Sequence, residues 1–199
     1  MRLAPPPADD VPLRADAQRN VEGIRQAALE IFRAQGLGTA LEEVARAAGV
    51  SKGTIYHRFG GRQGLIDAVV EELVADRIEA ILAAVEAIED VGEQFETYLR
   101  LIWMLQYHEP AANDVLLRAH PDSEPLTALC ARACEFGTLV LAAAQAAGVI
   151  RADLTPDDLY YLIWERGIVA RACDKQSSEH YARHMDYTLR GLRAHPMTS

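Results

Sequence analysis

Three observations predict an all-α fold for this chain. Ala, Leu, Glu and Arg dominate its 199 residues, and these side chains lose little freedom on entering a helix. No β-branched run alternates with polar residues, while nearly every long segment repeats apolar residues at helical spacing. Half of the residues are hydrophobic, ample for a packed core in one large or two small domains.

Residues 1–15 open with MRLAPPPADDVP, rich in Pro and Ala, and are expected to form a disordered tail. A first helix is expected over about 16–35, with Ile24, Ala27, Ala28, Ile31 and Phe32 as its inner stripe and Gly36 as its stop. Arg14, Arg19 and Arg25 near its start are either DNA-backbone contacts or a solvated face. Thr39 and Glu42 have capping-box spacing, which predicts a second helix from Ala40 with Leu41, Val44, Ala45 and Ala48 on one face. Gly49 ends it, Val50 folds back, and Ser51 is the next N-cap. The helix from Lys52 to Phe59 turns Ile55 and Phe59 inward and leaves Lys52, Thr54, Tyr56, His57 and Arg58 to project. It is too short and too polar for a core element. A short second helix with such a rim suits a major groove, where it meets base edges and phosphates.

Charge is polarised along the chain. The net charge is −9, which opposes DNA binding if spread evenly. Residues 14–66, however, carry eight Arg/Lys against five Asp/Glu, and residues 67–199 carry eleven against twenty-two. A mildly basic end can bind phosphates while the acidic remainder repels DNA and orients the molecule. The modest balance of +3 calls for a dimer to double the contacts.

Gly36, Thr39, the run VARAAGVSKGTIYHRF over 44–59, Arg62 and Leu65 resemble the DNA-binding domain of the TetR/AcrR family of bacterial transcriptional regulators. The resemblance covers about residues 18–70 and is architectural beyond. Two departures stand out. Arg58 occupies the position before the closing Phe where His or Tyr is usual, and Gly60, Gly61 and Gly64 weaken the start of the following helix, although Arg62 keeps a cation. The resemblance implies a helix-turn-helix DNA-binding domain over 16–66 and a helical effector-binding and dimerisation domain over 67–199. By their chemistry Lys52 and Thr54 are expected at base edges or adjacent phosphates, Tyr56 and His57 at the groove and its wall, and Thr39, Arg58 and Arg62 at phosphates; Ser51 and Gly53 complete the expected DNA-binding set.

In the body, a long helix over about 62–88 repeats Leu65, Val69, Leu73, Ile81, Leu82 and Val85 and is expected to join the reading head to the rest. The helix over about 91–108 is apolar on nearly every side, which predicts burial all round. By the resemblance it lines an effector cavity, giving Phe95, Leu99, Trp103, Tyr107, Phe136 and Trp164 as pocket residues; the other reading is that they fill a core. A short helix over 111–118 and a longer one over about 125–147 follow, the latter ended by Gly148. Thr155-Pro156-Asp157-Asp158 starts another, with a hydroxyl cap, proline at N1 and acids against the dipole. The last helix, about 178–194, repeats Tyr181, Met185, Leu189 and Leu192. The resemblance makes these two C-terminal helices the homodimer interface, as a four-helix bundle.

No HExxH, G-x-S-x-G or phosphate-loop pattern occurs, so no catalytic residue and no cofactor is expected. His180 and His184 are i, i+4 but lack a third ligand at a fixed offset, so surface or interface histidines are the preferred reading over a metal site. The odd count of three cysteines, Cys130, Cys134 and Cys173, gives no disulfide framework. Small core residues are the plainer reading of Cys130 and Cys134, and redox sensing would need a lowered thiol pKa. No run of eighteen apolar residues and no apolar leader occurs, so neither a membrane span nor a secretory signal is expected and the location is read as cytoplasmic. The expected function is that of a homodimeric repressor on a palindromic double-stranded operator, released by an apolar or aromatic small-molecule effector. The alternative is a helical carrier or adaptor without DNA binding; an enzyme using the body's cavity ranks below both.

Overall fold

Helix ends fall largely where capping chemistry places them. The structure, a computed structural model, describes residues 10–117, 122–172 and 178–194; Cys173, Arg118 and His120 lie outside the described residues, as does the side chain of Arg14. Among the described residues run α1 (Asp10–Gln35), α2 (Leu41–Ala47), α3 (Lys52–Phe59), α4 (Arg62–Val70), a π-helical turn (Glu71–Ala75), α5 (Asp76–Glu86), α6 (Val91–His108), α7 (Pro110–Leu116), α8 (Glu124–Ala146), α9 (Pro156–Ala172) and α10 (Ser178–Leu192). No strand occurs among them, and Ile150 and Arg193 form an isolated antiparallel bridge.

Polar caps start several helices. The Ser51 side chain accepts from Thr54 N–H at the start of α3, Asp90 accepts from Glu93 N–H at α6, and Ser123 accepts from Leu126 N–H at α8. At α9, Asp158 N–H donates to Thr155 Oγ1 and Thr155 N–H donates to Asp158 Oδ2, a reciprocal capping box. Thr39 behaves differently from its expected role. The N-cap of α2 is Ala40, with no side-chain cap bond, because the Thr39 hydroxyl donates to the Gly36 carbonyl at 2.9 Å inside the loop. Helix α1 also begins earlier than expected, at Asp10.

The head is built from α1 to α4 around Ile24, Phe32, Leu37, Val44, Ile55 and Leu65, none of them exposed. Glycine at 64 is a packing requirement here: a Cβ would fall 1.8 Å from the Phe59 carbonyl oxygen. The long linking helix is interrupted. The π turn lies where it leaves the head and enters the body, and both Leu73 and Val74 point inward there, 1% and 0% exposed. Such wide turns are rare insertions in an α-helix.

In the body, α6 is the central element, packed against α5, α7, α8 and α9. Trp103 has no exposed surface; its indole N–H donates to the Leu162 carbonyl of α9 at 3.2 Å, and its own carbonyl accepts from the Tyr181 hydroxyl of α10 at 3.1 Å. One residue thereby ties three helices together. Burial pushes the Tyr181 phenol up to about 12 and raises Tyr98 as well, whose hydroxyl donates to the Ala133 carbonyl of α8. By length and composition α8 is apolar enough to cross a membrane, which the search for an eighteen-residue apolar run did not register. In the structure it packs on α6 and buries Leu126, Leu129, Ala133, Val140, Leu141 and Ala144.

Candidate nucleic-acid interface

Helix α3 is held from below and open above. Ile55 is fully buried and Phe59 half-buried, which seats the helix on the head. Gly60, in the left-handed region at φ 74°, closes it with its N–H on the Tyr56 carbonyl. Ser51, Lys52, Gly53, Tyr56, His57 and Arg58 are exposed, and Thr54 is half-buried with its hydroxyl 2.9 Å from Ser51 Oγ. Tyr56 is 52% exposed, and its ring lies so near Gly61 that a Cβ there would approach it to 3.0 Å. A hydroxyl, two basic side chains, an imidazole and a phenol thus share one short surface.

Lys52 is not free on this surface. Its ammonium pairs with Glu42 Oε1 of α2 at 2.5 Å and stands 5.9 Å from the Tyr56 ring centroid. The hydrogen bond between them lowers the Glu42 carboxyl and raises the Lys52 ammonium from their ordinary values. Both side chains are about half exposed, so a phosphate can compete for the ammonium. Glu42 entered the sequence reading only as a capping partner. Its place on the recognition surface depends on how α2 and α3 cross, which no local pattern carries.

Two expected phosphate contacts point elsewhere. Arg62 is turned into the head, where its guanidinium donates to the carbonyls of Leu37 and Thr39. Thr39 is 9% exposed with its hydroxyl spent on Gly36. The orphan carbonyls of a loop without regular structure need donors, and a long cation at the start of α4 supplies them. Arg25 is likewise engaged, donating to the Ala68 carbonyl and lying between Glu22 and Glu72. Arg58 remains exposed.

Among the described residues, the six expected pocket residues divide between the core and a surface groove. Phe95, Leu99 and Trp103 have no exposed surface and fill the core. Tyr107 stacks on Tyr181 at 4.7 Å between centroids, and Phe136 packs against Tyr98 at 5.9 Å. Trp164, edge-on to Tyr161, borders an open surface groove with Asp157 and Tyr160. The core reading of the α6 aromatics describes this structure. Tyr98, Cys134, Leu159, Tyr160 and Ile163 border an apolar crevice too narrow to admit a water molecule. Cys130 is buried and Cys134 half-buried, neither in a disulfide. His180 and His184 are exposed on α10, with the His184 ring edge-on to Tyr187.

A helical head whose second short helix presents a polar rim, set on a helical body, defines a helix-turn-helix protein. Residues 24–69 match the family described as bacterial regulatory proteins, tetR family, and residues 90–194 match the C-terminal domain of SbtR-like transcriptional regulators. The chain belongs to the tetR family of bacterial regulatory proteins. Among its relatives is the HTH-type transcriptional regulatory protein RaaS of Mycobacterium tuberculosis, 43% identical over 61 residues, which are 31% of this chain and 28% of that protein. The chain thus aligns with less than a third of that relative's length. Two solved structures carry the likeness across the whole fold. The ketosteroid transcriptional regulator KstR2 of Mycobacterium tuberculosis superposes with a TM-score of 0.65 at 18% identity, covering 89% of this chain and 96% of that one. The TetR transcriptional regulator SCO0520 from Streptomyces coelicolor does so with a TM-score of 0.52 at 27% identity, covering 88% and 99%.

Proposed function

We propose that this protein is a homodimeric, ligand-responsive transcriptional repressor that reads a palindromic operator with α3. The observation that carries the reading is the exposed rim between Ser51 and Arg58, on a helix seated on the head by Ile55 and Phe59. Lys52 leaves Glu42 for base edges or an adjacent phosphate, Ser51, Gly53 and Thr54 approach the same edge, Tyr56 and His57 line the groove wall, and Arg58 meets the backbone. Arg62 and Thr39 serve this surface by holding the loop beneath it. The acidic body turns the basic head toward DNA.

The dimer forms through α9 and α10. Tyr161, Ile168 and Val169 on α9 and Tyr187 on α10 are exposed large apolar residues on those two helices, a patch of the kind that marks an association surface. Twofold pairing sets two copies of α3 about 34–36 Å apart, one turn of DNA. An apolar or aromatic effector taken up by the body acts because it binds the DNA-incompetent arrangement more tightly.

Selection from random duplex DNA tests the reading. Enrichment of a palindrome by the full chain, lost in Lys52→Ala while sedimentation still reports a dimer, is the expected result. Enrichment of nothing by the wild-type chain would leave an adaptor instead.

A further inference from the structure

Helix α7 is only seven residues long, yet Ala111 to Leu116 are all buried, among them Asn113 and Asp114 at 3% and 1% exposure. A buried carboxylate requires partners. Those of Asp114 come from the head and from the body. Its Oδ2 accepts from the backbone N–H of Leu37 at 2.7 Å, in the loop between α1 and α2. Its Oδ1 faces the guanidinium of Arg171 on α9 at 2.5 Å.

The loop is built to receive that carboxylate. Gly36 stands at φ 89°, and a Cβ on it would lie 2.7 Å from Asp114 Oδ2. Leu37 is gripped on both sides, its N–H by Asp114 and its carbonyl by Arg62 at the start of α4. Next to Asp114, Asn113 donates to the Gly167 carbonyl of α9 at 3.0 Å and accepts from Gln106 Nε2 of α6 at 3.1 Å. A Cβ at Gly167 would fall 2.5 Å from both amides. Two polar links therefore fasten α7 to α9, and a third fastens it to the head.

We propose that Asp114 is a positioning residue for DNA recognition: through Leu37 it sets the angle at which the body presents the head, and with it α3, without touching DNA. An apolar side chain in its place would leave the buried Leu37 N–H and the Arg171 guanidinium without their partner, so the bond cannot be removed without consequence. What the carboxylate adds is a directional bond between two domains. The proposal rests on the DNA-binding reading above, since its readout is operator affinity.

The test uses the full chain and the selected operator duplex, comparing Asp114→Ala, Asp114→Asn and Arg171→Gln with wild type. Asp114→Ala is expected to weaken binding about tenfold, within the range typical of coupling between distant sites. Asp114→Asn should recover most of that loss, because its amide oxygen still accepts from Leu37 N–H. The slope of log affinity against log salt should stay at the wild-type value in Asp114→Ala, since no phosphate contact is removed, whereas Arg58→Ala should flatten it by about one. Wild-type affinity in Asp114→Ala, an Asp114→Asn variant as weak as Asp114→Ala, or a flattened slope would each overturn the proposal. Should circular dichroism show Asp114→Ala unfolded, Arg171→Gln decides: weaker binding at an unchanged slope supports the assignment, and unchanged affinity sinks it. Wild-type protein that selects no DNA would instead be a failure of the DNA-binding reading, and that control tells the two failures apart.

Discussion

Helix α3 buries one residue fully, Ile55, and leaves Lys52, Tyr56, His57 and Arg58 outside, whereas α6 buries eight of its eighteen residues, Phe95, Tyr98 and Trp103 completely. Both helices carry aromatic and polar side chains, and the sequence reading gave both a ligand. Length separates them. Two turns can bury one or two anchors and must leave the rest exposed, so the chemistry of α3 lies in what projects. Five turns packed against four helices bury most of their apolar side chains, so the aromatics of α6 act as joints between helices.

That contrast can be broken first at Trp103. Trp103→Ala removes a large buried side chain and the bond to α9, and should cost about 3–5 kcal/mol of stability, read as a lower urea midpoint. An unchanged midpoint would mean that α6 is less essential to the body than its burial states. Alkali should act on the same joints. The Tyr181 phenol is held at about 12 against an ordinary 10.0, so its contribution is complete below pH 10 and fades as the pH rises through 12. Two pKa units correspond to roughly 2.7 kcal/mol at most, and Tyr181→Phe should flatten the alkaline limb of the stability profile.

The head should answer in binding with little change in stability. Lys52→Ala is expected to lose about 1–3 kcal/mol of operator affinity while its stability stays within about 0.5 kcal/mol of wild type. A variant that melts early would make Lys52 a structural residue. Glu42→Gln, the smallest effect, frees the Lys52 ammonium from its carboxylate. Slightly tighter operator binding, as small as exposed ion pairs are weak, is the expected result, and weaker binding would show that Glu42 serves recognition by orienting Lys52.

The parts of this architecture legible in the sequence are those fixed by neighbours in the chain. Ser51 before Lys52, Gly49 after Ala48 and Thr155-Pro156 before Asp158 announce helix ends through bonds of three or four residues' reach, and the structure places ends there. The split between an anchored and an exposed face of α3 was legible for the same reason. Thr39 shows the limit. Its spacing to Glu42 fits a capping box, yet the hydroxyl bonds to Gly36 because the loop needs it more than the helix does. Arg62 and Glu42 were misplaced because their partners lie across the head, at Leu37 and Lys52. Asp114 left one trace, a lone acid in the apolar run PAANDVL, which alone does not name a partner 77 residues away. The α6 aromatics stayed ambiguous because a filled core and a lined cavity share one composition.

The π turn at Glu71–Ala75 has a mechanical consequence of its own. Each α-helical residue advances about 100° around the axis, so one residue taken up in a wide turn offsets the phase of everything beyond it. Head and body can then be indexed separately along one continuous shaft: the stripe ending at Val70 meshes with α1, and the stripe resuming at Ile78 meshes with α6. Excising a single residue there would leave the shaft intact but slip one gear by more than a quarter revolution.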